Sequence, residues 1–280
     1  LNDINNNTYI EPSKMTVEQW MYIWLKDYKK PSVKPKTYAA YEAHVRNHIV
    51  PELGSYTLSV LRNDMIQRFV NNLAEKKLKS LTIERIVGTL KAALLQAVDN
   101  GLIIKSPAAR IKMPLQQERT PRVLTVHEQE IFIEAAQKYR NGEIFVLILG
   151  TGLRIGEALA LTWDDIDFDN CILSVNRTQI EYCEHINGET IYHRTYNSPK
   201  TKNSKRKIPL IPALIKMLLN LKTQREEEKK KFKDAYQDNG LIFCNYYGVS
   251  LNYTAISKKM NSICKATGLE GVHPHTLRHT

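Results

Sequence analysis

The chain has 280 residues, 42% hydrophobic and 25% charged, a balance that excludes a largely disordered chain and leaves room for two modest domains. Forty Lys and Arg against 29 Asp and Glu give a formal charge of +11, which favours a polyanionic partner, nucleic acid or an anionic membrane surface. The longest apolar runs, such as Ile144 to Leu149, stop far short of the roughly 18 to 20 residues a membrane span needs, and no signal peptide opens the chain.

Residues 1 to 112 read as a helical domain. Thr16-x-x-Gln19 is a capping box opening a helix whose Trp20, Ile23, Trp24 and Leu25 are expected on one apolar face. Pro31 and Pro35 bracket a break. A second helix follows from Tyr38 to Ile49 and is expected to end at Pro51-Glu52-Leu53-Gly54. Asn63 and Asp64 are expected to cap a third helix through Leu73, and a fourth runs from Thr82 to Val98 and stops at Asn100-Gly101. Met113 to Pro121 (MPLQQERTP) is polar, aperiodic and proline-bounded, hence a linker. Residues 1 to 120 hold 18 basic and 11 acidic side chains, and residues 121 to 280 hold 22 and 18. Both halves are basic, so both are expected to touch the same polyanion.

A second capping box, Thr125-x-x-Glu128, opens a helix to about Arg140. An apolar helix is expected over Glu143 to Leu149, then a Gly150-Thr151-Gly152 turn, then a short helix carrying Arg154, Glu157, Leu159 and Leu161. Strand-like stretches run over Ile172 to Ile180 and Glu189 to Tyr196, joined across Asn187-Gly188, a strong hairpin signal. Lys205 to Leu210 is a third strand. Pro212 to Lys233 is a helix whose charged run Arg225 to Lys233 is expected to be a solvated face. The fold class is mainly α with a small antiparallel β-sheet. Cys171, Cys183, Cys244 and Cys264 form no C-x-x-C pair and suggest a reduced, cytosolic protein. Cys183, His185 and His193 lack a fourth metal ligand.

Several residues have the chemistry of a phosphate site. Arg154 follows a glycine turn, and His275 and Arg278 are three apart in HTLRH, on one face if that segment is helical. Arg194, Lys200, Lys202, Lys205, Arg206 and Lys207 lie in 14 positions without an acidic residue, which suits phosphate contact or a solvated basic loop. Two arginines can fork onto the non-bridging oxygens of a phosphate, and a lysine or histidine can protonate the departing oxygen. No carboxylate pair for two-metal chemistry and no G-x-x-x-x-G-K-[ST] loop stands out, so this apparatus calls for neither metal nor nucleotide cofactor. Transfer on a diester then requires a nucleophile from the protein.

GTGLRIGEALALTWDDID, SPKTKNSKRKIPL and HPHTLRHT, in this order and spacing, resemble the tyrosine recombinase (phage integrase) family, most of all the integrases of conjugative transposons. TYAAYEAHVRNHIVPELG and NGLIIKSPAARIKMP resemble that family's helical core-binding domain. The resemblance implies a core-binding domain over residues 1–112, a linker over 113–121 and an α+β catalytic domain over 122–280. It implies Arg154, Lys200, His275 and Arg278 as catalytic residues, with Lys202 the rival of Lys200. Glu157 either buttresses the site or is a plain helix-surface carboxylate. His273 and His279 match no catalytic position.

The implied reaction is strand exchange through a 3′-phosphotyrosine on double-stranded DNA at core attachment sites. The enzyme would self-associate, as a tetramer in the synapse, with an excisionase or DNA-bending accessory protein as a further partner, in the bacterial cytoplasm at the nucleoid and without a membrane. The family's nucleophilic tyrosine lies downstream of H-x-x-R, whereas this chain stops at Thr280 and starts at Leu1; a fragment without the nucleophile is therefore expected. A type IB topoisomerase shares the arginine, lysine and histidine logic. A catalytically inactive DNA-binding regulator that keeps the fold is the alternative from another class.

Overall fold

The computed structural model describes residues 14–115, 122–186, 188–197 and 205–280. The chain divides into two compact units, Leu1–Arg119 with Tyr182–Thr190, and Thr120–Glu181 with Ile191–Thr280. Helices dominate the described residues, and the strands form two small sheets. This is the mainly α architecture with a small antiparallel sheet that the sequence predicts. Of the expected linker, residues 116–121 lie outside the described residues.

In the first unit, helix α1 (Val17–Ile23) begins at the expected box. The Gln19 N–H donates to Thr16 Oγ1 at 3.2 Å, and the Thr16 N–H donates to Gln19 Oε1 at 3.0 Å. The helix runs on through a π-helical turn, Trp24–Lys29. Trp20, Trp24 and Leu25 are buried, but Ile23 is partly exposed and Met21 takes an inner place. At 3.6 residues per turn, positions 17, 20, 21 and 24 share a stripe and position 23 falls off it. The Trp20 indole donates to the Ala93 carbonyl at 2.8 Å, so burying this large ring orphans no donor.

Helix α2 (Pro35–His44) continues through a second π turn, Val45–Ile49, into α3 (Val50–Leu53). The helix thus ends within Pro51-Glu52-Leu53-Gly54 as expected, at Leu53 with Gly54 as its cap. The Val50 N–H bonds back to Val45, and Pro51, which has no N–H to give, occupies the first turn of α3, where helices tolerate it. Helix α4 (Asn63–Glu75) is preceded by Arg62, not capped by Asn63, because the Asn63 amide donates to the Pro107 carbonyl and Asp64 pairs with Arg62 and Arg68. Helix α5 (Ser80–Asp99) stops as expected, with Gly101 at φ +70°. Trp20, Trp24, Ile49, Phe69, Leu73 and Leu90 belong to one core.

In the second unit, α6 (Val126–Gln137) opens with its own capping box. Helix α7 (Glu143–Thr151) extends through Gly150 and Thr151, so only Gly152, at φ +65°, makes the turn. Helix α8 (Ile155–Leu159) is short. Strands β1 (Ile166–Asp167), β2 (Ile172–Val175), β3 (Thr178–Ile186), β4 (Glu189–Asn197) and β5 (Arg206–Pro209) follow, the far part of β3 and the first residues of β4 being counted with the first unit. The expected continuous strand over 172–180 is split. Strand β2 joins a sheet of order β1-β2-β5, antiparallel to both neighbours, whereas β3 pairs with β4. At the break Asn176 donates to Asp165 Oδ1 at 3.0 Å and Arg177 to Asp165 Oδ2 at 2.7 Å, so both side chains turn onto one buried carboxylate. Asn187 lies outside the described residues, while Gly188, at φ +84°, has the conformation a tight hairpin demands.

Helices α9 (Pro212–Phe232), α10 (Tyr253–Thr267) and α11 (Pro274–His279) complete the unit. Phe145, Leu147 and Ile148 of α7 are fully buried in a core that also holds Leu218, Met260 and Leu277. One expectation fails here. The run Arg225 to Lys233 is not a uniformly solvated face, because Arg225 continues the inward row Leu214, Leu218, Leu221 of α9. It is 3% exposed, donates to Asn141 Oδ1 at 2.6 Å and to the Ile242 carbonyl at 3.3 Å, and pairs with Glu228 at 2.9 Å. Glu228 also receives the Arg140 fork. Arg225→Ala is therefore expected to lower unfolding stability by about 3 kcal/mol, the scale for breaking a buried pair, and Lys230→Ala, on the outer face, by no more than about 0.5 kcal/mol. Urea unfolding of both variants checks this contrast.

Candidate active site

Glu157 is the centre of the site. It occupies the third position of α8, and its Oε2 accepts the Arg154 backbone N–H at 2.9 Å while its Oε1 accepts Arg154 Nη1 at 2.9 Å. The local sequence makes this possible. The left-handed Gly152 ends α7, Arg154 stands in extended conformation at the N-cap of α8, and the carboxylate reaches back one turn. Gly156 lets α8 lie against the start of β3, since a Cβ there would meet the Gln179 carbonyl and Thr178 Oγ1 at 2.7 Å.

Strand β5 brings the second arginine. Arg206 forks onto Glu157, Nη1 to Oε1 at 3.1 Å and Nη2 to Oε2 at 2.8 Å. Helix α11 brings the third, with Arg278 Nη1 4.0 Å from Glu157 Oε2. The Glu157 side chain is 3% exposed, against 53% for Arg154 and 29% for Arg278. Burial alone pushes the Glu157 carboxyl up, but the Arg206 fork and the two Arg154 bonds outweigh it and hold the group below its ordinary value. Arg278 is lowered, first by burial and then by the neighbouring Arg154 cation; Glu157 opposes this and Arg206 adds to it. Its buried Nη1 has no hydrogen-bond partner among the described residues. A charged donor in that state gains from any anion that supplies an oxygen.

Helix α11 is fixed at both ends. Pro274 and the His273 cap set its start, Thr276 and Leu277 are buried, and the Leu124 N–H donates to Thr280 Oγ1 at 3.0 Å. His275 lies one turn before Arg278, is exposed, and stacks at 6.5 Å on the His279 ring. It takes no part in the Glu157 cluster.

The structure thus brings Arg154 and Arg278 together around Glu157 and leaves His275 on the outer side of the same helix. Lys200 and its rival Lys202 lie outside the described residues. Of the two readings of Glu157, the buttress holds and the plain surface carboxylate does not. Arg206 is the residue that motif spacing missed. Its signal was present: it stands two residues before Ile208, so the period-2 rule puts it on the inner face of β5, and both are half-buried while Lys207 and Pro209 are exposed.

The depressed Glu157 carboxyl has a stability consequence. Because its folded value lies below the ordinary 4.5, its contribution is complete above about pH 4.5 and is lost as pH falls through the folded value. Glu157→Gln should lose less stability than the parent protein between pH 5 and pH 3, which urea unfolding across that range measures.

Two family models match the chain, the phage integrase family over residues 116–280 and the phage integrase N-terminal SAM-like domain over residues 16–74. The chain is 32% identical over 292 residues to the tyrosine recombinase XerC-like protein of Caldanaerobacter subterraneus, covering 100% of this chain and 74% of that protein. It is 24% identical to the transposase from transposon Tn916 of Enterococcus faecalis, covering 99% and 69% respectively, and it spans only 64% of the tyrosine recombinase XerC of Pediococcus pentosaceus. The Tn1549 transposon integrase, solved in complex with a circular intermediate DNA, has the same fold, with a TM-score of 0.76, 22% identity, and 95% of this chain and 85% of that one covered. The lambda integrase tetramer bound to a Holliday junction gives a TM-score of 0.66 at 20% identity, covering 99% and 74%. A family match over residues 116–280, and a relative 32% identical along the full length of this chain, establish that the protein belongs to the phage integrase family of tyrosine recombinases.

Proposed function

We propose that the protein is the recombinase of a mobile genetic element, cutting and rejoining duplex DNA for integration and excision through a 3′-phosphotyrosine intermediate. The observation that carries this reading is the pair Arg154 and Arg278 beside one buried carboxylate, with an Arg278 donor left open. Residues 1–112 would act as the core-binding domain, 113–121 as the linker and 122–280 as the catalytic domain. Relatives named as transposon transposases and as the integrase of ICEBs1 support the mobile-element setting.

In the proposed reaction a tyrosine oxygen attacks the scissile phosphorus, a phosphotyrosine bond forms and the bond to the 5′-oxygen breaks. The free 5′-hydroxyl of another strand then reverses the step, so the phosphodiester energy is conserved. Arg154 and Arg278 hold the two non-bridging oxygens as their charge grows in the pentavalent transition state. Lys200 gives its proton to the departing 5′-oxygen, and His275 serves as acid or base toward tyrosine and phosphate. Glu157 orients the arginines and touches no DNA. Assembly on DNA is proposed as a tetramer, with an accessory DNA-bending protein, in the cytoplasm. Among the described residues no helix is long and apolar enough to cross a membrane.

The nucleophile is proposed to lie outside residues 1–280, since the last of the chain's 14 tyrosines, Tyr253, precedes His275 and Arg278. Residues 1–280 alone should bind the recombination site and form no covalent adduct, although water attacking at a low rate would give slow nicking. A nicked suicide duplex incubated with the protein and run under denaturing conditions tests this, and a protein–DNA band would place the nucleophile among the 14 tyrosines.

In the full-length gene product, Arg154→Lys should cost far more in cleavage than in DNA binding. Lysine keeps the charge but loses the two-pronged fork that matters most as the transition state forms. Cleavage is expected to fall at least about 100-fold, as when an oxyanion-stabilising donor is removed, with little change in Kd. Equal losses in both would remove Arg154 from the chemistry.

A further inference from the structure

We infer that Arg206 is a positioning residue for strand cleavage, which by filling Glu157 keeps the Arg278 guanidinium free for the scissile phosphate. The inference rests on the recombinase reading above and concerns the same site.

The argument is one of hydrogen-bond capacity. A carboxylate offers about four acceptor positions, two on each oxygen. On Glu157 all four are taken: Oε1 by Arg154 Nη1 and Arg206 Nη1, and Oε2 by the Arg154 backbone N–H and Arg206 Nη2. Arg278 Nη1 stands 4.0 Å from Oε2, outside hydrogen-bond reach, and finds no other partner among the described residues. Arg206 supplies half of the bonds that exclude it. Without Arg206, the buried carboxylate would have two vacant acceptor positions beside a cation held near by, and Arg278 would close the gap.

That closure would have a specific effect. Arg278 Nη1, once turned inward onto Glu157, would be lost to the phosphate, and the guanidinium would be drawn away from the DNA face, leaving Arg154 with its remaining donors to hold the phosphate. Arg206 is held for this task by the sheet, where it is opposite Val175 in the β2–β5 ladder, while Ile208 opposite Leu173 and the Leu210 N–H bonded to the Cys171 carbonyl at 2.8 Å anchor the rest of β5. A lysine at this position would supply charge but not two parallel bonds.

Two measurements test the inference. In a crystal structure of the 280-residue chain carrying Arg206→Ala, Arg278 should lie within about 3 Å of a Glu157 oxygen; an Arg278 that has not moved would overturn the proposal whatever the enzyme does. In the full-length gene product, single-turnover cleavage of a nicked duplex spanning the end of its own element should fall about 10- to 100-fold in Arg206→Ala, the usual range for groups that orient a site, with Kd changed less than about twofold. Arg206→Lys should fall between the two. The double variant Arg206→Ala with Glu157→Gln should cleave faster than Arg206→Ala, because a neutral amide no longer traps Arg278.

Rates are compared at saturating protein with melting temperatures measured alongside. A merely structural Arg206 would lower Tm and leave the rate of the bound complex intact, and that result would overturn the inference. So would a double variant no faster than the single one. If Arg206→Ala does not fold, Arg206→Lys and the double variant carry the same comparison. Absence of any adduct from the unmodified protein would refute the recombinase reading instead, and the position of Arg278 in the crystal would still decide the role of Arg206.

Discussion

A single buried carboxylate organises the second unit of this protein. Glu157 draws Arg154 from the turn after α7, Arg206 from β5 and Arg278 from α11 to one point, so three separate segments are aligned by one charge. Such a group is costly to bury unless paired, and leaving it without a partner typically costs about 3–5 kcal/mol. The pairing here is more than sufficient. Three guanidinium groups around one carboxylate leave a surplus of positive charge, which reaches solvent through the exposed Arg154 and the partly exposed Arg278 side chain, while the unbonded Arg278 Nη1 lies beneath the surface. The same geometry that makes the fold tolerable makes an anion welcome.

Two other arginines are also drawn onto buried or half-buried carboxylates. Arg225 is sealed in, with Asn141, Glu228 and the Ile242 carbonyl filling its donors, and Glu228 is shared with Arg140. Arg177 meets Asp165 and the Ala160 carbonyl where β2 gives way to β3. These clusters tie helices and strands together, through a sealed arginine at Glu228 and a half-buried one at Asp165. Around Glu157, by contrast, three guanidinium groups from separate segments, each partly exposed, gather at one carboxylate that is itself buried. The core beneath it is conventional: α7 supplies fully buried Phe145, Leu147 and Ile148, and Leu277 roots α11 in the same cluster.

Much of this was legible in the sequence because it is local. Both capping boxes, the stop at Asn100-Gly101, the left-handed Gly152 and the one-turn spacing of His275 and Arg278 each need only a few adjacent residues to be recognised. The misreadings share a cause. Asn63 gives its amide to Pro107, and the strand over 172–180 is split because Asn176 and Arg177 bond to Asp165. In each case a side-chain or backbone partner outside the local window overrode the local preference. The inward place of Arg225 was in principle visible as the next member of a leucine row, and charge hid it.

The sequence by itself determined that the partner is polyanionic, through an excess of Lys and Arg in both halves, and it determined the helical turns that carry Arg154, His275 and Arg278. It left Glu157 undecided between buttress and surface. Tertiary structure alone decided that Glu157 is buried, that Arg206 fills it and that Arg278 is left open. The reason is physical: a carboxylate accepts only about four hydrogen bonds, and which guanidinium groups take them depends on distances between segments far apart in the chain. Composition counts the arginines; only packing sorts them into those that fill Glu157 and the one whose donor it leaves unbonded.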